Sequence, residues 1–423
     1  MPDKISSVLQ NSSTMLPDPA FNDTRLAFAY KKDQELKKAR FLFSGMGNQW
    51  LLRVGLAMIP PFIRWKVPFV KSLVRNTIFS QFVGGESLQE TIPTVEKLAA
   101  YGVHTILDYG VEGKEDNEQA YEKAAQEFVN VIRFAAGSKH IPFISIKLTG
   151  LVRSSLLEKL DGLMSVSGWP LMERYSRALE RLSATDQSQW MKALKRLKNI
   201  CQEAAQNRVG VWLDAEESWL QEPMDAAAML LMQEFNVTRP VLYNTYQLYR
   251  HDRLEFLKTC HLYARQNGFI LGAKIVRGAY MEKERMRASA SGYPSPIQPD
   301  KDTCDRDYNM AVQYCIDNIE GIAVALGTHN EKSSLLGVQL VKQKGLQADH
   351  PHVCFAQLLG MSDNITFNLA AAGYRAGKYL PYGPIEDVIP YLMRRAEENS
   401  SVKGQTGREL SLIRAELKRR KGS

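Results

Sequence analysis

The chain has 423 residues, 44% hydrophobic and 24% charged, with a formal net charge of +8. Those fractions are ordinary for a globular protein with a large core, and the length accommodates one large domain with extensions or two domains. The excess charge is local: residues 31–75 carry ten Lys/Arg against Asp33 and Glu35, which equals the surplus of the whole chain, so no nucleic-acid partner is expected.

Residues 1–24, rich in Ser, Asn, Pro and Asp, read as a loose N-terminus. The opening "MPDKISSVLQ" has an early acid and no apolar h-region, so no signal peptide is expected, and no run of 18 apolar residues suggests a membrane span. Residues 25–84 read as a basic and apolar helical arm. A basic helix covers 25–42. A second stretch, 49–83, interleaves cations with Trp50, Leu51, Leu52, Leu56, Met58, Ile59, Phe62, Trp65, Phe69 and Val70 and is broken at Pro60 and Pro61. That mixture suits two roles about equally: contact with an anionic membrane surface, or packing of the arm on the rest of the protein. After "GGES" a helix is expected, with Ser87 as its N-cap and Glu90 three residues on.

From there the chain alternates. Short β-rich runs appear at 103–108, 143–148, 210–214, 240–244, 270–277, 322–328, 352–356 and 375–380, separated by helical patterns at 118–136, 189–206, 224–235, 252–267, 305–319, 331–344 and 361–372. Strands alternating with helices imply parallel pairing through right-handed crossovers, and eight such strands close a barrel. An open doubly wound sheet would want a GxGxxG turn, and the chain has none. The predicted fold is therefore α/β: a (βα)8 TIM-like barrel with an N-terminal helical arm. The barrel and its C-terminal helix cover 85–405, and a basic tail covers 406–423. Five scattered cysteines without CxxC spacing point to a reducing compartment. His350, His352 and Cys354 alternate, but lack zinc spacing, so they read as a strand edge and no metal is expected.

Polarity gathers at the predicted C-terminal strand ends, where barrel enzymes build their sites. In order these are Asp108 and Glu112; Lys147; Asp214, Glu216 and Glu217; Asn244 and Gln247; Lys274 and Arg277; Thr328, His329 and Asn330; Gln357; and Tyr379. The helix after the last strand reads "YLMRRAEENS". It puts Tyr391, Arg394, Arg395 and Glu398 on one broad face, two forked cations together suited to a carboxylate or phosphate.

Five motifs, "SIKLTG", "LDAEES", "KIVRGAY", "GTHN" and "YLPYGP…PYLMRRAEEN", closely resemble in order and spacing those of proline dehydrogenase, over residues 85–400. The resemblance implies FAD-dependent oxidation of L-proline to Δ1-pyrroline-5-carboxylate, by hydride transfer from proline C5 to flavin N5, with electrons passed to membrane quinone. By matching position it implies that Lys147, Arg394 and Arg395 bind the proline carboxylate and that Tyr379 and Tyr391 close over the ring. Glu112, Asp214 and Glu216 would steady the cations. Asn244, Lys274, Val276, Gly278, Ala279, Thr328, His329, Asn330 and Glu398 would lie along FAD.

Three positions depart from the bacterial bifunctional enzymes, which have Arg at Lys274, Gln at Asn244 and Trp at Met281. All three resemble the monofunctional, mitochondrial-type branch, and the length leaves no room for a fused aldehyde-dehydrogenase domain. In the resembling family a tyrosine at position 379 accompanies proline use and a smaller residue accompanies 4-hydroxyproline use. The expected location is the cytoplasm, peripheral at the inner membrane, with the mitochondrial matrix or inner membrane as the alternative. The competing functions are a hydroxyproline-type dehydrogenase, a barrel aldolase using Lys147 or Lys274 as a Schiff base, and a non-enzymatic scaffold on a membrane surface.

Overall fold

A computed structural model describes residues 18–46, 58–63, 65, 67–110, 117–165, 168–401 and 405–422; the side chains of 397–401, 405 and 406 lie outside it. Eight parallel strands close a barrel in sequence order: β1 His104–Tyr109, β2 Phe143–Ile146, β3 Gly210–Leu213, β4 Leu242–Gln247, β5 Leu271–Val276, β6 Ile322–Gly327, β7 Val353–Leu358 and β8 Ala376–Tyr382. The predicted TIM-like barrel is the observed one. The register carries a consequence for β4. This strand begins two residues later than its sequence pattern suggests and runs on to Gln247, because "LYNTYQ" keeps its two-residue alternation through the polar positions.

The labelled helices are α1 Asp33–Met46, α2 Leu88–Ala99, α3 Glu118–Ala136, α4 Ser154–Met164, α5 Leu171–Glu180, α6 Ala184–Asn207, α7 Ser218–Phe235, α8 Arg253–Gln266, α9 Met281–Ser291, α10 Lys301–Asp317, α11 Glu331–Gln343, α12 Asp363–Ala371, α13 Ile385–Ser401 and α14 Gln405–Lys421. Ser87 caps α2 by accepting from Glu90 N at 3.4 Å. The basic helix foreseen at 25–42 is split: one turn at Thr24–Ala27 is followed by α1, the break leaving Tyr30 and Lys31 between them. Helices α4, α5 and α9 fall where the sequence pattern suggested no element; α4 and α5 do carry an apolar face at helical spacing, whereas α9 buries Glu284 and Ala288 and has little apolar period.

The barrel interior is packed large against small. Phe143, Trp212, Tyr243 and Tyr379 from β2, β3, β4 and β8 form one buried cluster with Ala323, Ala325, Cys354 and Ala356 from β6 and β7. Aromatic bulk on one side fills the space that small residues leave on the other. Gly272 belongs to the same economy: a Cβ there would come within 2.1 Å of Leu242 O on the adjacent strand. All five cysteines are buried thiols; Cys354 faces the interior, and His352 Nδ1 lies 2.9 Å from Ile319 O.

A second core lies outside the barrel. Phe28, Leu36, Phe43, Phe79 and Phe82 of the arm pack on Ile385, Val388 and Leu392 of α13 and on Leu412, Ile413 and Leu417 of α14. The stretch after 405, read from sequence as a basic tail, is thus a packed helix whose buried Glu416 accepts from Arg419, Arg420 and Thr24. The arm also has an outward side: Phe41, Trp65, Phe69 and Leu73 are exposed, as are Lys37, Lys38 and Arg40. Trp50, Leu51, Leu52 and Leu56, with Arg53, Arg64 and Lys66, lie outside the described residues.

Candidate active site

The alternation of β1, β2, β3, β5 and β8 delivers a polar layer above the aromatic cluster. Lys274 pairs with Asp214 Oδ1, and Tyr379 OH donates to the other oxygen, Asp214 Oδ2. Ser145 Oγ sits against the same phenol oxygen, in position to donate to it. The Lys274 ammonium stands 5.0 Å from the Tyr379 ring centroid and 5.4 Å from that of Trp212. One carboxylate therefore fixes both a buried cation and a tyrosine ring.

The remaining cations converge on the same layer. Lys147 ends β2 and heads the turn Leu148–Gly150. Asp108 of β1 is buried, and burial followed by the Asp214 carboxylate pushes its carboxyl up to about 7, against the opposing pull of Lys147, Lys274 and Arg394. Tyr280 lies within the field of Lys147, Glu216, Glu217 and Arg394, and burial pushes its phenol up to about 12. Lys147 and Arg394, 247 positions apart in sequence, thus act on the same two groups, buried Asp108 and half-buried Tyr280. Glu216 accepts from Thr149 N at 3.3 Å and Oγ1 at 2.8 Å, and its carboxyl is raised by burial while Lys147 holds it down. Tyr391 is buried on α13, with the Arg395 guanidinium 5.2 Å from its ring centroid.

On the opposite arc, Val276 ends β5, and Gly278 and Ala279 follow as exposed backbone with almost no side chain. Thr328 Oγ1 accepts from Asn330 N at 3.1 Å, and Asn330 Oδ1 caps α11 through Ser333 N at 3.0 Å. His329 Nδ1 lies 2.9 Å from Ser362 Oγ; burial, then Lys378 and Arg395, lower its pKa to about 3, so the ring is neutral.

One expected residue is not brought to the mouth. Asn244 sits one position from inward-facing Tyr243, so its side chain points to the helical layer, where Nδ2 donates to Asp225 Oδ1 at 2.7 Å. The inward position near the mouth is Gln247, whose Nε2 donates to Glu216 O at 2.6 Å and Tyr249 OH at 2.8 Å. The role expected of Asn244 came from matching position in the resembling family; the two-residue alternation of β4 instead turns Gln247, named at the same strand end, inward. Gln357 likewise turns outward, accepting from Thr366 Oγ1 at 2.7 Å. Glu112 lies outside the described residues, and α13 carries Glu398, whose side chain does too. Tyr280 is a member that sequence reasoning missed, although it ends the "KIVRGAY" motif, and Asp108 was named with its strand end but given no role.

A family model described as proline dehydrogenase matches residues 91–408. The chain belongs to the proline dehydrogenase family. It is 34% identical over 376 residues to "Proline dehydrogenase 1, mitochondrial" of Dictyostelium discoideum, an alignment spanning 82% of this chain and 65% of that one. It is 33% identical over 365 residues to "Hydroxyproline dehydrogenase" of Xenopus laevis, spanning 82% and 78%. Among solved structures, proline utilization A from Bdellovibrio bacteriovorus, inactivated by N-propargylglycine, superposes with a TM-score of 0.68 at 18% identity, over 93% of this chain and 40% of that one. That likeness concerns the fold.

The residues present fit the FAD that the family resemblance implies. Gly278 and Ala279 offer open backbone beside the charged layer. The buried Gln247 Oε1, on an inward position of β4, has no hydrogen-bond partner among the described residues. A planar, hydrogen-bonding ring system suits both features.

Proposed function

We propose that this protein oxidises L-proline to Δ1-pyrroline-5-carboxylate with FAD and passes the electrons to membrane quinone. The observation that carries this is the convergence of Lys147 and Arg394 on one buried layer beside Arg395 and the Lys274–Asp214–Tyr379 unit. A bound FAD would supply the hydride acceptor, N5. The chain's own residues do the rest. Arg394 and Arg395, with Lys147, grip the substrate carboxylate; planar guanidiniums set orientation as well as affinity, whereas a lone ammonium would let the ring swivel. Tyr379 and Tyr391 enclose the ring and keep water off the C5–H that leaves as hydride while the amine lone pair forms the C=N bond. Asp214 holds Lys274 and Tyr379 in place. Val276, Gly278, Ala279, Gln247 and the Thr328–His329–Asn330 segment line the cofactor side.

The Xenopus relative, named for hydroxyproline, raises the second substrate. Tyr379 favours proline. Its hydroxyl is tied to Asp214 and Ser145, so the ring is a fixed wall that a C4 hydroxyl on a clamped substrate must meet. The Schiff-base reading loses ground for Lys274, whose ammonium is committed to Asp214. For location, the name of the Dictyostelium relative supports a mitochondrial site over the bacterial-type cytoplasm. No helix among the described residues is long and apolar enough to cross a membrane. The exposed aromatic and cationic side chains of the arm support a peripheral hold on anionic lipid. The deciding experiment is reduction of a dichlorophenolindophenol dye by purified, flavin-loaded protein on adding L-proline, with bleaching of the flavin band. A colourless preparation that reduces no dye rejects the function.

A further inference from the structure

Ser362 is an unusual helix cap. It stands before α12 with φ at 50°, the left-handed region that non-glycine residues seldom occupy. A serine at such a position normally turns its hydroxyl onto the helix it opens, yet this one makes no side-chain cap bond. Its two polar groups are used elsewhere. The Oγ meets His329 Nδ1 at 2.9 Å, and the backbone N–H donates to Glu409 Oε1 of the C-terminal helix α14. Glu409 is buried at 5% exposure, far from any solvent role.

The same turn of α14 makes a second contact with the same side of the barrel. Arg408 Nε donates to Glu331 Oε1 at 2.9 Å, and Glu331 follows Asn330 directly. Two adjacent residues of the last helix therefore reach the loops after β6 and β7, from which the "GTHN" segment faces the mouth. The imidazole in turn lies within the field of Arg395.

We infer that Glu409 is a positioning residue of the site: by holding Ser362 in its left-handed conformation it aims the Ser362 hydroxyl, which fixes the ring of His329. The C-terminal helix is then part of the machinery beside the cofactor, acting through Ser362. Burial and the neighbouring Asp363 carboxylate push the Glu409 carboxyl up to about 7, with Lys378 and Lys31 opposing. An acceptor oxygen, rather than a full charge, is what Ser362 N requires, and a glutamine supplies one. The consequence for cofactor binding rests on the proposal that His329 lies along FAD; the positioning of the imidazole does not.

The test uses the full chain in four variants: Glu409→Ala, Glu409→Asp, Glu409→Gln and Leu412→Ala. Side-chain 15N resonances of His329, assigned with His329→Asn, report its tautomer and the bond at Nδ1; flavin retained through gel filtration is read in parallel. Glu409→Ala and the shorter Glu409→Asp should each shift the His329 nitrogens and lower flavin affinity about tenfold. Glu409→Gln should keep both near wild type. Leu412→Ala loosens the same helix through its apolar contacts, and should lower Tm without moving His329. An unmoved His329 signal in both Glu409→Ala and Glu409→Asp overturns the inference, as does Leu412→Ala reproducing their shift at equal loss of Tm. If the nitrogens shift and flavin retention holds, the positioning stands and the placing of His329 along FAD falls.

Discussion

Two basic regions of this chain look alike as sequence and behave differently as structure. The arm contributes Lys37, Lys38 and Arg40, all exposed, with Lys71 and Arg75 about half exposed and paired to Glu86, Glu90 and Glu386 at 3.0–3.4 Å. The mouth contributes Lys147, Lys274, Arg394 and Arg395, set in a layer with buried Asp108, Glu216 and the aromatic rings. Surface pairs such as those of the arm contribute about 0–1 kcal/mol and are screened by salt. Buried cations flanked by fixed carboxylates keep their orientation and act on a ligand in low dielectric. Surroundings, not residue type, separate the exposed cations of the arm from those of the mouth.

The largest expected effect separates the two directly. Arg394→Met or Arg395→Met should raise KM for proline and lower kcat/KM about 30- to 1000-fold, corresponding to ~2–4 kcal/mol, with FAD retained. Normal proline saturation in both variants would dissolve the distinction. Tyr379→Ser comes next. It should narrow the ratio of kcat/KM for proline over trans-4-hydroxyproline by ~1–3 kcal/mol, mostly by weakening proline. An unchanged ratio in flavin-loaded variant means the ring is no steric wall.

A smaller effect concerns pH. Asp108 has a folded pKa raised from 3.8 to about 7, so the folded state binds the proton more tightly than the unfolded state. Its contribution to stability is present below pH 4 and is lost as pH rises through 7. The Tm of Asp108→Asn minus that of wild type should therefore grow between pH 4 and 8. A flat difference shows that Asp108 is not raised by its setting. The smallest effect on turnover belongs to the arm. Lys37→Glu, Lys38→Glu and Arg40→Glu together should abolish flotation with anionic liposomes at low salt and leave dye-coupled kcat within about twofold. Retained flotation removes these cations from the membrane contact.

The barrel was legible because its strands are short, apolar and evenly separated, and because parallel sheets bury both faces. Of the extra helices, α9 was not, since it has little apolar period, whereas α4 and α5 carry an apolar face at helical spacing that a closer reading finds. Within the site, the cations at strand ends and on α13 stood out as residue types. Asp108 was named without a role and Tyr280 was not singled out, because what marks both is their setting beside other charges, a property of the assembled mouth. Asn244 shows a sharper limit. Sequence brings a polar residue to a strand, but one step of register decides whether it faces ligand or helix.

The second core has a consequence for how the chain is made. Thr24 bonds Glu416 at 2.9 Å, Tyr30 bonds Asp363 at 2.8 Å, and Arg420 donates to Phe28 O at 2.9 Å, closing contacts over more than 330 positions. A ribosome releases the arm before the helices that cover it. Until α13 and α14 emerge, Phe28, Phe43, Phe79 and Phe82 lack the apolar surface on which they pack, so the arm settles only after the barrel that follows it has been made.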